Sequence, residues 1–117
     1  MSFVSMKDLV ADAARAGYAV PAFCCWSAEV ADTILATAAR LSAPVILLHS
    51  PVEFAKLAPS VMAAGARAVA APHAAKAAIH LDHGDSVEMG LACVEAGYGG
   101  VMVDFSTRSF DENAAAL

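Results

Sequence analysis

Short apolar runs alternate along this chain with longer segments in which apolar residues recur at helical spacing. The apolar runs, which predict strands, are Tyr18–Phe23, Pro44–His49, Ala77–Asp82 and Gly99–Asp104. The second run is apolar without a break until His49, which is typical of a strand buried on both faces. Because such strands belong to parallel sheets covered on both sides, the pattern predicts an α/β protein.

The segments between the apolar runs predict helices. They run from about Ser5 to Ala16, from Ser27 to about Leu41, from Pro59 to about Ala71, and from Asp85 or Ser86 to just before Gly97. Ser5 with Asp8, and Ser109 with Glu112, have the spacing of helix-capping pairs. The second pair predicts a further helix close to the end of the sequence.

Strands that alternate with helices predict successive βα units joined by right-handed crossovers. A (β/α)8 TIM barrel needs about 200 to 250 residues, whereas this sequence has 117. We therefore expect the first half of such a barrel, with about four parallel strands and the helices outside, as one partial domain over residues 1–117. The alternative is a small doubly wound sheet. Neither a G-x-G-x-x-G after the first strand nor a G-x-x-x-x-G-K-[ST] supports that alternative.

The composition is unusually apolar for a short chain. Hydrophobic residues make up 59% and charged residues 16%, against roughly 45–50% and about 25% in average globular domains. We expect part of this apolar surface to meet a second copy or a complementary barrel half. The net charge of −5 and the seven scattered Lys and Arg residues argue against nucleic-acid binding.

The cysteines and the longest apolar runs bear on the compartment. Cys24, Cys25 and Cys93 are odd in number and two of them are adjacent, so no disulfide framework is visible and a reducing cytoplasm is expected. The apolar stretches are shorter than the ~18 residues of a membrane span, and no secretion signal opens the sequence. Neither membrane spanning nor secretion is expected.

Polar residues stand where the predicted strands end. Ser50 follows the second strand, the pair Asp82-His83 ends the third, and Asp104 ends the fourth. The carboxyl ends of parallel strands meet on one face, where α/β barrels place their chemistry. From position alone, Asp82-His83 has two interpretations: a general base beside a metal ligand, or a turn that caps the next helix.

Several blocks of the sequence resemble a known family. They are Gly17–Phe23, His80–Gly84 (HLDHG), Val101–Ser106 (VMVDFS) and Phe110–Asn113. In this order and separation they are similar to the class II fructose- and tagatose-bisphosphate aldolases. The resemblance covers essentially the whole sequence but only the first part of that family's barrel.

The resemblance implies a zinc-dependent aldol cleavage of a phosphorylated ketose to dihydroxyacetone phosphate and an aldehyde. It implies proton transfer by Asp82, zinc binding by His83 and a place for Asp104 near the metal. The resemblance also implies that Ser50 and Ser106 bind the substrate. For Asp104 a second interpretation remains open, in which it holds the following loop by bonds to backbone amides. The lysines Lys7, Lys56 and Lys76 are not placed for a Schiff base, which independently favours the metal route.

The sequence also departs from the family. Cys24 stands where the family commonly has an asparagine that helps to bind substrate. Either the substrate specificity differs or Cys24 packs in the core, and we expect packing; no base stands beside it in sequence to favour a reactive nucleophile. His49 and His80 are expected to be polar groups satisfied within the sheet. The family's other zinc histidines belong to later strands, so the 117-residue chain alone is expected to have little aldolase activity. A non-catalytic half-barrel or structural subunit is therefore the alternative, and the sequence does not specify which ketose is the substrate.

Overall fold

The computed structural model describes residues 3–116, which form a single four-stranded sheet with helices. The elements are α1 Met6–Ala16, β1 Ala22–Cys24, α2 Ala28–Arg40, β2 Val45–His49, α3 Pro51–Phe54, α4 Pro59–Ala70, β3 Ala77–Gly84, α5 Val87–Glu95, β4 Gly100–Val103 and α6 Phe110–Ala116.

The strands pair in the order in which they occur along the chain. The sheet runs β1-β2-β3-β4, and every neighbouring pair is parallel. A doubly wound sheet reverses its strand order at a switch point. The sequential order therefore excludes the doubly wound alternative and confirms the expected α/β class, with four parallel strands arranged as in part of a barrel.

The two faces of the sheet bury different groups. On the outer face, Leu47 and Ile79 join the main core with Leu35 of α2 and Ala63 of α4. On the inner face, Ile46 and Ala78 lie in register with each other and pack with Leu9 of α1. Thus α2 and α4 lie outside as expected, whereas α1 covers the beginning of the strands on the inner side.

Two local predictions at the start of the chain need correction. The first strand begins at Ala22 rather than Tyr18, because Pro21 has no N–H for the ladder and only its carbonyl accepts a bond, from Ile46 N. Ser5 precedes α1 as expected, but its hydroxyl caps nothing. Its carbonyl instead accepts the first helical bond, from Leu9 N at 3.1 Å.

The short helix α3 was not predicted, and the sequence analysis treated these residues as a loop. Pro51 occupies the first turn, where its missing N–H costs nothing. Glu53 Oε2 accepts bonds of 2.7 Å from both the backbone N–H and the hydroxyl of Ser50. The serine before α3 is therefore bonded within the helix start.

The predicted capping pair before α6 forms, and serines also cap α2 and α5. Ser27 Oγ accepts from Val30 N, and Ser86 Oγ accepts from Met89 N. Ser109 donates its hydroxyl to Glu112 Oε2 at 2.6 Å. These bonds explain why α2, α5 and α6 begin where the sequence indicates. Within residues 3–116, every helix is too short or too polar to cross a bilayer.

Candidate functional site

A β-bulge at the end of β3 positions the most polar residues of the sheet. Leu81 pairs with Val101, and Gly84 pairs with Val103. Between these two pairs β3 advances by three residues and β4 by two. His83 lies inside this shift with φ +52°, a left-handed conformation that is uncommon for residues other than glycine. Because a bulge turns side chains away from the regular alternation, it directs the imidazole towards β4.

The absence of a side chain at Gly84 allows β3 and β4 to approach each other closely at the bulge. A Cβ atom at Gly84 would lie 2.6 Å from Leu81 Cδ2 and 3.1 Å from Met102 O. The carbonyl of Gly84 accepts a bond of 2.8 Å from Asp104 N. The residue carrying the second carboxylate is thereby tied to the end of β3.

The imidazole of His83 lies between two carboxylates. Its Nδ1 is 2.6 Å from Asp104 Oδ2, and its Nε2 is 3.8 Å from Asp82 Oδ1. The other oxygen of Asp104 accepts a bond of 2.9 Å from Ser106 N. We call the group Asp82, His83, Asp104 and Ser106 the strand-end site. It brings together four of the five site residues named from the sequence.

Ser50 is the fifth, and it is already engaged. Its hydroxyl donates to Glu53 rather than standing free at the end of β2. A substrate that binds Ser50 has to replace or share this bond.

Hydrogen bonding couples the protonation of His83 and Asp104. The bond to Asp104, followed by the charge of Asp82, raises the pKa of His83. Bonds from Ser106 and His83 lower the pKa of Asp104 to about 2. When His83 is neutral and Nδ1–H donates to Asp104, the lone pair of Nε2 is free for a metal ion. Asp104 thus holds both the ring and the following loop, and the bond from Ser106 N is the one expected from its loop-holding interpretation.

The strand-end site fits one nitrogen ligand of a zinc centre but does not complete it. Catalytic zinc normally takes three protein ligands. Nowhere in residues 3–116 are three or more His, Cys, Asp or Glu side chains grouped so that they could hold a metal ion. Residues 3–116 therefore do not provide three protein ligands for a catalytic zinc ion.

The two buried histidines differ in how they are satisfied. His49 is bonded as expected, with Nδ1 2.6 Å from the hydroxyl of Tyr98. For His80 the expectation is not met at Nδ1, which is buried without a partner among the described residues. A Cβ at Gly100 would lie 2.8 Å from this nitrogen, so the glycine makes room for the ring. Burial lowers the pKa of His80.

None of the three cysteines belongs to the group of residues that forms the strand-end site. Cys24 is exposed, so the expectation that it packs in the core is wrong for the described chain. Cys25 is the buried one, and burial raises the pKa of its thiol to about 11, which disfavours the reactive thiolate. Lys76 precedes β3, at the end of the strand remote from the site, where its Nζ is 3.8 Å from Asp12.

One residue near the site was missed from the sequence. The guanidinium of Arg108 lies 4.1 Å from the centre of the Phe105 ring, and its Nη2 donates to Asp85 O at 3.3 Å. Arg108 therefore bridges the loops that follow β3 and β4. The sequence does show an arginine in the loop that follows the fourth strand. It does not show the partners of Arg108, because they depend on how the two loops pack.

Comparison with known proteins identifies the class to which this fold and site belong. Residues 4–117 match the family model described as class-II fructose-bisphosphate aldolase, so the chain belongs to that family. It is 34% identical over 121 residues to the fructose-bisphosphate aldolase of Treponema pallidum, covering 98% of this chain and 36% of that protein. It is 36% identical over 117 residues to the D-tagatose-1,6-bisphosphate aldolase subunit GatY of Klebsiella oxytoca, covering 100% of this chain and 41% of that protein.

Solved structures agree in fold. The YdjI aldolase of Escherichia coli K12 superposes with a TM-score of 0.85 at 23% identity, over 98% of this chain and 44% of that one. A putative fructose-1,6-bisphosphate aldolase from Coccidioides immitis gives 0.83 at 24% identity, over 93% and 43%. The chain thus spans well under half the length of these relatives.

Proposed function

We propose that this chain forms part of a zinc-dependent ketose-bisphosphate aldolase. The reaction is the reversible cleavage of fructose or tagatose bisphosphate to dihydroxyacetone phosphate and an aldehyde phosphate. The observation that carries the proposal is the 2.6 Å bond between His83 Nδ1 and Asp104 Oδ2, with Asp82 beside it. Membership of the aldolase family supports the same conclusion.

The chemistry needs a carbanion next to a carbonyl group. Bound zinc supplies Lewis-acid stabilisation of the negative charge that develops on the substrate oxygens. In this chain Nε2 of His83 would bind the metal, while Asp104 fixes the ring through Nδ1. Both oxygens of Asp104 already accept hydrogen bonds, Oδ2 from His83 and Oδ1 from Ser106 N, so we assign it first to positioning.

Asp82 is assigned to proton transfer at the substrate hydroxyl. Its side chain is about a quarter exposed, which leaves it accessible from the strand-end side. A carboxylate in this position accepts the hydroxyl proton during cleavage and returns it in the reverse direction. Ser106 and Ser50 are assigned to substrate hydroxyl or phosphate oxygens, Ser50 after exchanging its bond with Glu53.

The remaining zinc ligands are assigned to the rest of the barrel, whether in the same polypeptide, a second copy or a complementary half. The Klebsiella relative is named as a subunit, which supports an assembly. Three cysteines that form no disulfide among the described residues support a reducing cytoplasmic location.

The proposal is tested on the complete protein by following ketose-bisphosphate cleavage with and without a chelator. We expect chelator-sensitive turnover that zinc restores. Asp82→Asn should lower kcat by about 10²- to 10⁴-fold with zinc content unchanged, whereas His83→Ala should lose zinc. Asp85→Asn, an exposed carboxylate in the next loop, is the matched control and should remain active. Turnover that survives both the chelator and Asp82→Asn would contradict the mechanism.

A further inference from the structure

A groove between α2 and α4 lies on the outer face, and its lining includes none of the four residues of the strand-end site. We call it the α2–α4 groove; it holds about 260 Å³ and is lined chiefly by Trp26, Ala31, His49, Leu57, Met62 and Gly65. Helices α2 and α4 belong to consecutive βα units, and both are present. The groove is therefore not produced by an unpaired sheet edge.

A polar atom lies at the bottom of this apolar groove. His49 is 1% exposed, and its Nδ1 is bonded to Tyr98. Its Nε2 has no hydrogen-bond partner in residues 3–116. This nitrogen is not completely enclosed by protein atoms, and His49 lines the groove, so we infer that Nε2 is open to the groove. A nearly buried imidazole nitrogen without a partner favours an occupant that forms a hydrogen bond with it.

The groove is suited to an uncharged molecule. No Lys, Arg, Asp or Glu belongs to the part of the chain that lines it. Burial lowers the pKa of His49 to about 4, so the imidazole is neutral at physiological pH. A phosphate group would find no counter-charge here, which distinguishes this groove from a site for sugar phosphates.

We propose that the α2–α4 groove binds a small neutral aromatic alcohol, with its hydroxyl on His49 Nε2 and its ring between Trp26 and Met62. A hydroxyl both donates and accepts, so it pairs with either neutral tautomer of the histidine. An aromatic ring matches the indole and thioether that border the groove. Binding would also cover Trp26, which is 64% exposed, and part of Leu57.

The probe is phenol, added to the isotope-labelled 117-residue chain while backbone and indole N–H resonances are followed by NMR. We expect saturable shifts at the Trp26 indole and the Gly65 amide. Toluene keeps the ring without the hydroxyl, and cyclohexanol keeps the hydroxyl without an aromatic ring. Each should bind at least about tenfold more weakly, the equivalent of losing one hydrogen bond or one aromatic contact.

Two variants at one position separate binding from folding. A Cβ at Gly65 meets nothing within 4 Å. Gly65→Ala should therefore keep phenol binding, whereas Gly65→Leu should fill the groove and weaken binding at least tenfold. Both replace glycine with a better helix former in α4, so both should fold.

Three results would overturn the proposal: toluene equalling phenol, phenol shifts that persist in Gly65→Leu, or no saturable phenol shift at all. A fourth is a dependence of the same resonances on protein concentration without phenol that persists in Val101→Lys, a variant that weakens pairing at the β4 edge, because a second copy would then be the occupant of the groove. None of these outcomes depends on aldolase activity, so the proposal stands or fails separately from the proposed function.

Discussion

At the scale of single residues, the bond between His83 and Asp104 determines which imidazole nitrogen is available. With Nδ1 held by a carboxylate oxygen at 2.6 Å, only Nε2 would be available to the metal ion of the proposed function. A carboxylate behind a ligand histidine also increases the basicity of the imidazole, so Asp104 is expected to affect both the orientation and the affinity of the site.

Replacing Asp104 with Asn should separate these effects. The amide oxygen can still accept from Nδ1–H, but the negative charge is lost, so the pKa of His83 should fall towards its ordinary value. Zinc affinity of the complete protein should drop by about 10- to 100-fold. NMR titration of the metal-free protein and a zinc competition assay measure the two changes. Asp85→Asn is the control, and an unchanged His83 titration in Asp104→Asn would show that the bond is absent in solution.

Burial of His49 predicts how stability depends on pH. Its pKa is lowered from 6.5 to about 4 in the folded chain, mainly by burial. The unfolded chain therefore binds the proton more readily, and this group costs stability as the pH falls below 6.5 and on through 4. The shift is equivalent to about 3 kcal/mol once the pH is below both values.

The measurement is the free energy of unfolding in urea from pH 7 to pH 5. A double variant, His49→Leu with Tyr98→Phe, removes the titrating ring without leaving the hydroxyl unpaired. Its unfolding free energy should fall less steeply than that of the wild type. Identical slopes would mean that His49 does not remain neutral inside the fold.

The sequence indicated part of the site because strand ends can be located from apolar runs. Asp82, His83 and Asp104 were placed together by that reasoning alone. The bulge that turns His83, the bond from Tyr98 to His49 and the bridge made by Arg108 were not predicted. Each depends on the register or packing of segments far apart in the chain, which local patterns do not encode.

At the scale of elements, the end of α5 is held by a side chain from α4. Arg67 Nη2 donates to Ala96 O at 2.8 Å and to Gly97 O at 3.0 Å. These carbonyls lie at or just beyond the end of the helix, where a positive charge is favoured. Gly97 follows in the left-handed region, with φ +79°.

Gly97→Ala should therefore destabilise the chain more than Gly17→Ala. Both glycines have a positive φ, +79° and +75°, so both variants lose about 1–2 kcal/mol to backbone strain. Only at Gly97 would the new Cβ meet another group, lying 2.5 Å from Arg67 Nη2, while Gly17 has open space. We expect Gly97→Ala to cost about 1 kcal/mol more in urea unfolding, from the displaced hydrogen bonds. Equal losses would indicate that Arg67 contributes nothing.

Elements were predicted most accurately where a cap and an apolar pattern agree. Ser27, Ser86 and Ser109 placed the starts of three helices within a residue or two. Helix α3 and the late start of β1 were missed, because both depend on proline at a boundary between regular structures. Pro51 begins a helix and Pro21 delays a strand, and the sequence pattern around each proline does not distinguish the two effects.

At the scale of the whole molecule, the sheet has two edges with exposed apolar side chains. Phe23 on β1 is 49% exposed, and Val101 and Met102 on β4 are 39% and 36% exposed. The high apolar content of the sequence had indicated such surface, although it could not locate it. Unpaired strand edges of this kind pair readily with other chains.

The purified 117-residue chain should therefore associate as its concentration rises, as measured by size-exclusion chromatography with light scattering. Val101→Lys adds a charge to the β4 edge and should shift the chain towards monomer. Val52→Lys is the control, because it adds the same charge at an exposed position of α3, which follows the central strand β2. If both variants behave alike, association occurs through another surface.

The sequential strand order has a consequence for synthesis on the ribosome. Each strand emerges after the one it will pair with, so the sheet can grow one strand at a time without waiting for distant parts. The first segment is the exception. Val4 N bonds to Ala77 O and Met6 N to Gly99 O. Val4 and Met6 are made before these partners, so this segment must wait for β3 and the approach to β4 before it docks.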